Sequence, residues 1–321
     1  MRQVGSGSFV YQEIKHWAQF PPGWSTEDGP AVAVDSQDRV YVLIRNRSGL
    51  LCFDRDGRFL RSWGEDLFER PHGLFIGPDD SIFVVDDWAH SVYRFTPDGQ
   101  QLMCIETKDR PAETGYLRAR HPVRRAAPPF NEPTGCALAP EGDLYVTDGY
   151  GNARVHKFTS EGELMLSWGE PGSAPGQFVT PHGVCVDGQG LVYVSDRMNC
   201  RVQIFDSQGR YRSEWSDAHY PNNVCMDAEG NRYVAEISGF FLYGRKPRME
   251  ELEARITVRN ETGKILSQWG EEDPRGWGRY FAPHSIAVDS RGDLYVSEVT
   301  QSYSFGAAPR DWGVLRKYVR V

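Results

Sequence analysis

Three histidines of this chain follow a proline at matching points of an internal repeat. They form the pairs Pro71-His72, Pro181-His182 and Pro283-His284, which fall in alternate copies of a unit that occurs six times. If six copies close into a ring, alternate copies lie a third of a turn apart, so the three imidazoles can meet on the central axis. Three imidazoles suit Zn²⁺, with Fe²⁺ and Co²⁺ as weaker options, and leave a fourth position open for substrate or water. The spacing therefore predicts a catalytic metal site.

The repeat that spaces these histidines also predicts the fold. Each copy has a short apolar strand, an Asp- or Gly-containing turn and a second apolar strand, which ends in an acidic residue in five of the six copies. The copies occupy 31–44, 73–86, 135–148, 183–196, 223–236 and 285–298. In most copies two further strands follow, so four strands recur roughly every 40–60 residues, as in propeller blades. We expect an all-β, six-bladed β-propeller in a single domain, 1–321.

Three segments stand outside the repeat. Residues 8–14 have the pattern of a strand without a blade of its own, and the last copy ends in a further strand at 314–321. Since an unpaired strand edge invites association, we expect the N-terminal strand to join and close the sixth blade. Insertions near 108–130 and 238–255 interrupt the repeat, and insertions of this length either shape a binding mouth or form loops.

Composition narrows the compartment and the partners. The chain of 321 residues has 36 Lys and Arg against 44 Asp and Glu, a net charge of −8, and no long basic block, which argues against a nucleic-acid surface. The longest apolar runs have strand length, and the first residues lack the apolar core of a secretory signal. The six cysteines show no Cys-x-x-Cys spacing, which favours free thiols. We expect a soluble cytoplasmic protein that does not bind a membrane.

Two segments have the strand pattern Asp-x-x-Asn-x-Arg-Val of NHL-type propellers. They are DRMNCRV at 196–202 and, with one extra residue, DGYGNARV at 148–155. Within that class the chain resembles the peptidyl-α-hydroxyglycine α-amidating lyase, the lyase half of the peptide-amidating enzyme. The resemblance extends over nearly the whole chain and is carried by RPHGL (70–74), the stretch 132–158, GQFVTPHGVCV (176–186), SDRMNCRVQIF (195–205) and APHSIAVDSRGDLYV (282–296).

This resemblance implies roles for six residues. It implies a zinc ion held by His72, His182 and His284, a catalytic phenol at Tyr150, and a cavity lined by Arg45 and Arg197. The repeat register agrees, because both arginines follow the second strand of their copies and Tyr150 lies in the same turn of copy three. An arginine fork suits a carboxylate, so a small molecule or peptide with a carboxylate is the expected substrate.

The chain departs from the resembled family at three positions. Ala282 stands where the family has Met, which reshapes the substrate pocket, and Gly151 stands where secreted members have Cys. Ser285 replaces an Asp that is associated with a structural calcium ion in the family. Neither peptide specificity nor structural Ca²⁺ is therefore carried over to this chain.

Three classes of function remain open at this point. The first is a lyase in which Tyr150 removes the proton of an α-hydroxyl, the C–N bond of an N-acyl-α-hydroxyglycine breaks, and an amide and glyoxylate leave. The second is a metal-dependent hydrolase of a small lactone or amide. The third is a non-catalytic propeller that binds a partner through its rim. The aspartates that end the second strands, Asp86, Asp148 and Asp196, are expected to fix turns by hydrogen bonds.

Overall fold

The chain is described by a computed structural model. It describes residues 3–14, 16–24, 27–45, 47, 49–107, 110–117, 123–239, 253–270, 279–303 and 312–321. Contacts divide the chain into two compact units, one formed by residues 67–221 and the other by residues 1–66 and 222–321. The single domain expected for 1–321 stays a prediction.

The unit of residues 67–221 contains three four-stranded antiparallel sheets, each made of strands consecutive in sequence. We number the blades in chain order. Blade 2 comprises β7 (Pro71–Ile76), β8 (Ile82–Asp86), β9 (Ser91–Phe95) and β10 (Gln101–Glu106). Blade 3 comprises β11 (Pro133–Leu138), β12 (Leu144–Asp148), β13 (Arg154–Phe158) and β14 (Leu164–Trp168). Blade 4 comprises β15 (Pro181–Val186), β16 (Val192–Asp196), β17 (Arg201–Phe205) and β18 (Tyr211–Trp215), with a short 3₁₀ turn at Arg197–Asn199.

The other unit also contains three blades. Blade 1 comprises β3 (Ala31–Val34), β4 (Val40–Ile44), β5 (Gly49–Phe53) and β6 (Phe59–Trp63). Blade 5 comprises β19 (Pro221–Met226), β20 (Arg232–Glu236), β21 (Arg255–Arg259) and β22 (Ile265–Trp269). Blade 6 comprises β23 (Pro283–Val288), β24 (Leu294–Glu298) and β25 (Leu315–Arg320), with a one-turn helix α1 at Thr300–Tyr303 before β25.

Two N-terminal strands complete blade 6. The strand β2 (Phe9–Ile14) pairs antiparallel with β25, with Tyr11 opposite Arg320 and Ile14 opposite Lys317. The strand β1 (Gln3–Ser6) pairs with β2 and becomes the fifth strand of the sheet. The predicted closure by the N-terminal strand is confirmed, whereas the added edge strand β1 was not expected from its short polar sequence.

The sheets of the two units together are the blades of a six-bladed β-propeller, as the repeat predicts. The second strand of every blade is buried along its whole length, including the acidic residue that ends it in five of the six blades. Alternating faces of neighbouring blades form the cores, such as the cluster around Tyr145, Phe178, Val194 and Phe205 between blades 3 and 4. This packing fixes the ends of the strands, where the candidate functional residues lie.

The insertions have different outcomes. The insertion at 238–255 lies largely outside the described residues. The described part of the insertion at 108–130 returns to the body of its unit, because Ala112 N–H donates to the Phe130 carbonyl at 2.9 Å. All six cysteines are free thiols. No helix within the described ranges has both the length and the apolar character needed to cross a membrane.

Candidate active site

Each predicted histidine lies at an irregularity in the first strand of its blade. In blade 2 the pairing of β7 with β8 shifts between Pro71 and Gly73, and His72 is the residue between them. The same shift places His182 between Pro181 and Val184 in blade 4. A β-bulge redirects a side chain out of the regular alternation of a strand. Both imidazoles are nevertheless buried, which is the environment of a built site rather than of a surface histidine.

A hydrogen bond to the next blade sets the tautomer of His72. Its Nδ1 lies 2.7 Å from the carbonyl oxygen of Thr134, the residue of blade 3 at the equivalent repeat position. Because a carbonyl oxygen only accepts, Nδ1 carries the hydrogen, and in the neutral imidazole Nε2 then bears the lone pair. His72 therefore presents Nε2 as a ligand or acceptor, in the orientation that backbone carbonyls give to metal-binding histidines.

Tyr150 is brought to both histidines of this unit. Its hydroxyl donates to His72 Nε2 at 2.9 Å and lies 3.1 Å from His182 Nε2. The rings of the two histidines are 4.9 Å apart between centroids. The structure thus gathers three residues that were predicted from different repeat copies, with one phenol oxygen between two imidazole nitrogens.

Two glycines let the turn carrying Tyr150 approach its surroundings. A Cβ on Gly149 would lie 1.9 Å from the Pro181 carbonyl oxygen, and a Cβ on Gly151 would lie 2.3 Å from Asn131 Oδ1. Contacts this short between non-bonded atoms are not tolerated. A side chain at position 151 would meet Asn131, so this turn requires Gly151 where secreted members of the resembled family have Cys.

The insertion near 108–130 is hydrogen-bonded to the turn that carries Tyr150. Thr114 Oγ1 donates to the Gly151 carbonyl at 2.6 Å, and Asn131 Nδ2 donates to the Ala112 carbonyl at 2.9 Å. Gly151 N–H in turn donates to the Asn131 carbonyl at 2.9 Å. The insertion near 108–130 therefore supports the Tyr150 turn.

A buried aspartate anchors the base of the same turn. Asp148 accepts hydrogen bonds from Asn131 N–H at 3.0 Å and from Asn152 Nδ2 at 2.7 Å, and His156 Nε2 lies 3.4 Å away. Burial raises the pKa of the Asp148 carboxyl, and the hydrogen bonds from His156 and Asn152 oppose that rise. Asp148 thus fixes backbone and side-chain positions at the start of the Tyr150 turn.

Two guanidinium groups contact the ring of Tyr150. The predicted Arg197 lies over the ring with 5.2 Å between its Cζ and the centroid. Arg70, which the sequence pattern did not single out, lies over the same ring at 5.9 Å and over the Trp88 ring at 5.3 Å. Two positive charges thus lie over the ring of Tyr150, in the geometry of cation–π contacts.

Arg70 and its partners had a detectable signal in the sequence. Arg70 directly precedes Pro71-His72, and Asp87 stands at the position of its copy that Arg197 occupies in copy four. Asp87 forms a buried ion pair with Arg70. A search for charged residues at every copy of the Arg197 position would have found Asp87, but its pairing with Arg70 depends on side-chain direction.

His284 and Arg45 belong to the other unit. His284 lies between Pro283 and Ser285, where the pairing of β23 with β24 shifts, and it is buried. Its Nδ1 lies 2.6 Å from the Pro30 carbonyl, and Pro30 has the same repeat position in blade 1 as Thr134 has in blade 3. His284 therefore also presents Nε2 as a potential metal ligand. Arg45 Nη1 donates to Ser302 Oγ at 3.3 Å, and its predicted contact with substrate stays a prediction.

Comparisons with known proteins agree with this architecture. The family model described as NHL repeat matches residues 130–158 and 178–205, which include the Tyr150 and Arg197 turns. Human NHL repeat-containing protein 3 is 31% identical, over 90% of this chain and 82% of its own length. The chain belongs to the NHL-repeat family of β-propellers.

Other proteins that are similar to this chain carry an enzymatic name. Peptidyl-alpha-hydroxyglycine alpha-amidating lyase 1 of Drosophila melanogaster is 29% identical over 82% of this chain, and the match spans 49% of the fly protein. A solved structure titled as a streptogramin B lyase has a TM-score of 0.61 and covers 98% of this chain and 99% of its own, at 13% identity. At that identity the solved structure supports the fold alone.

Proposed function

We propose that this NHL-repeat protein is a metal-dependent lyase. Its substrate would be an N-acyl-α-hydroxyglycine or a related carbinolamide with a carboxylate, and its products an amide and glyoxylate. The observation that carries the proposal is the position of the Tyr150 hydroxyl, 2.9 and 3.1 Å from Nε2 of His72 and His182. The name of the fly relative supports the same reaction class.

The donor set fits a metal ion. We propose that His72, His182 and His284 together hold one ion, Zn²⁺ first and Fe²⁺ second. The proposal is supported by the equivalent bulge positions of the three histidines, and by the carbonyl that orients Nδ1 in both His72 and His284. When bound, the ion would act as a Lewis acid that polarises the substrate hydroxyl. Ser285 gives no reason to include a structural calcium ion.

The residues around Tyr150 have separable tasks in the proposed reaction. Tyr150, as the phenolate, accepts the proton of the α-hydroxyl, the electron pair of the broken O–H bond forms the C=O bond of glyoxylate, and the C–N bond breaks. The released nitrogen keeps the bonding electron pair and takes the proton from Tyr150, which restores the base. Arg197, in contact with the Tyr150 ring, binds the substrate carboxylate with its guanidinium fork. Arg45 is a second candidate for this carboxylate.

A non-catalytic binding function is the second candidate. It is favoured by one observation, the match to human NHL repeat-containing protein 3, which spans more of the relative than the lyase match does and whose name states no reaction. In that case the histidines would hold a structural ion or none, and turnover of carbinolamides would be absent.

Metal content and glyoxylate release test the proposal together. The protein is purified without chelator or nickel and assayed by elemental mass spectrometry and with N-acetyl-α-hydroxyglycine. We expect about one ion per chain, and loss of the ion in His72→Ala, His182→Ala and His284→Ala. His219, an exposed histidine outside the repeat register, supplies the control His219→Ala, which should keep the ion.

The variant Tyr150→Phe separates binding from chemistry. It should retain the ion and lower turnover at least about 10²-fold, because the proton acceptor is lost while the three imidazoles are unchanged. Full activity in this variant would remove Tyr150 from the mechanism. An ion that is retained in all three histidine variants would refute the metal site, and a loaded protein without turnover would favour the binding function.

A further inference from the structure

An exposed tryptophan lies at the end of a row of side chains that begins at Tyr150. Arg70 connects the two, with its Cζ 5.9 Å from the Tyr150 centroid and 5.3 Å from the Trp88 centroid. Trp88 is 43% exposed, which is unusual for the largest apolar side chain, and only Asp87 separates it from the end of the buried strand β8. An indole in this position is available to a ligand that already contacts Tyr150.

Arg70 holds this arrangement in place. Its guanidinium is ion-paired with Asp87, whose side chain is fully buried, and the arginine side chain itself is only 27% exposed. The backbone at Arg70 is fixed as well, because Arg70 N–H donates to Asp86 Oδ1 at 3.0 Å. Because Asp87 balances its charge, Arg70 acts as the support of this row of side chains rather than as the partner of a substrate carboxylate.

The blade order gives the substrate a direction. Blade 3, which carries Tyr150, lies between blades 2 and 4, since His72 of blade 2 contacts the Thr134 carbonyl and Thr134 Oγ1 donates to the Pro181 carbonyl of blade 4 at 2.9 Å. Arg197 belongs to blade 4, whereas Trp88 belongs to blade 2. A carbinolamide with its hydroxyl at Tyr150 and its carboxylate at Arg197 therefore has its acyl group on the side of Trp88.

We propose that Trp88 is a specificity-determining residue and that the preferred substrate carries a flat aromatic acyl group that stacks on its indole. This inference rests on the proposed function for the orientation of the substrate. A planar apolar group gains from contact with the exposed part of the Trp88 indole, and aromatic pairs contribute beyond simple burial. A short acyl group such as acetyl has no surface to place there.

The test compares two ligands that cannot react. N-benzoylglycine and N-acetylglycine have the carboxylate and the amide but lack the α-hydroxyl, so calorimetry on the metal-loaded protein measures binding alone. We expect N-benzoylglycine to bind about tenfold more tightly, and this preference to disappear in Trp88→Ala and to persist in Trp88→Phe. The control is Tyr211→Ala, which removes an exposed aromatic side chain from the outer strand of blade 4.

The outcomes separate this inference from the proposed function. A benzoyl preference that survives Trp88→Ala, no preference in the unmodified protein, or no binding of N-benzoylglycine would overturn the role of Trp88. A preference that depends on Trp88 without any glyoxylate release would uphold the binding site and refute the lyase reaction. If turnover is observed, Trp88→Ala should raise KM for the N-benzoyl substrate about tenfold and leave kcat unchanged.

Discussion

Blades 3 and 4 share one frame but balance its buried charge differently. In blade 4 the aspartate that ends the second strand, Asp196, receives hydrogen bonds from Arg201 Nε at 2.8 Å and from Asn199 Nδ2 at 2.8 Å. In blade 3 the arginine at the same ladder position, Arg154, donates to a backbone carbonyl of β14 instead. Within the described part of the chain, the hydrogen-bond partners of Asp148 are Asn131, Asn152 and His156. The same strand framework thus carries two different polar networks.

The two blades also differ in the length of one turn. Five residues, 149–153, connect Asp148 to Arg154, whereas four residues, 197–200, connect Asp196 to Arg201. The longer turn of blade 3 carries Tyr150 to the histidines, and the shorter one places Arg197 beside the Tyr150 ring. The residues that distinguish these two blades at the site therefore lie in the turns directly after Asp148 and Asp196. The strands and buried aspartates that support these turns only have to keep their positions.

The largest expected effect concerns the arginine of the blade 4 frame. Arg201→Met should lower the free energy of unfolding by about 3–5 kcal/mol, because Asp196 remains buried without its cation. Arg201 also donates to the carbonyls of Ala174 and Gln177. The matched change Arg154→Met should cost about 1 kcal/mol, since Arg154 makes one hydrogen bond to a carbonyl. Urea unfolding measures both, and equal losses would refute the difference between the two frames.

The next effect concerns the turn that carries Tyr150. Gly149→Ala should lower kcat/KM for glyoxylate release about 100-fold, because its Cβ would meet the Pro181 carbonyl and displace Tyr150. Metal content should stay unchanged. Gly188→Ala is the control, since a Cβ there meets no heavy atom within 4 Å and the residue has no positive φ. Unchanged kinetics in Gly149→Ala would show that the turn can yield without moving the phenol.

The smallest expected effect is a change in the free energy of unfolding with pH. Burial raises the pKa of Asp148 above its ordinary 3.8, so the folded chain binds this proton more tightly than the unfolded chain. The resulting stabilisation is complete below pH 3.8 and is lost as pH rises through the folded pKa, by at most about 1.4 kcal/mol for each unit of difference. Asp148→Asn should therefore gain stability relative to the unmodified protein as pH rises above 4. Urea titrations at several pH values test this.

The same measurement on Asp196 of blade 4 provides a comparison with Asp148. Burial also raises the pKa of Asp196, but Asn199 and the Arg201 guanidinium oppose the rise. We expect a shallower slope for Asp196→Asn than for Asp148→Asn. A steeper slope would mean that the arginine does not offset burial in blade 4.

The sequence predicted the parts of the site that follow the repeat. The histidines were found because a Pro-His pair recurs at one position of the first strand in alternate copies, where the structure has a bulge. Tyr150 and Arg197 were found through the resemblance to the lyase family, and their place after the second strand of the repeat agrees with it. The contact of Arg70 with Trp88 and Tyr150 was missed. It joins side chains from two blades, and its geometry depends on an ion pair that no repeat position specifies.

In the fold, too, the elements that belong to the repeat could be predicted and an element outside it could not. Six copies with strand-length periods were enough to predict the blades and the strand that closes the sixth. The edge strand β1 could not be predicted from Gln3–Ser6, which is short and outside the repeat. It is stabilised by its partner β2 and by the hydrogen bond of Ser6 N–H to Ser267 Oγ at 2.8 Å.

The pairing of β2 with β25 has a consequence for the time course of folding. Tyr11 and Arg320 are opposite each other in the sheet, so β2 cannot pair with β25 until all the strands between them in sequence have been synthesised. Pairings this distant in sequence form slowly, because a long loop must close before any contact rewards it. A nascent or truncated chain that lacks 315–320 would expose the edge of β2, which makes it a target for chaperones and a seed for aggregation.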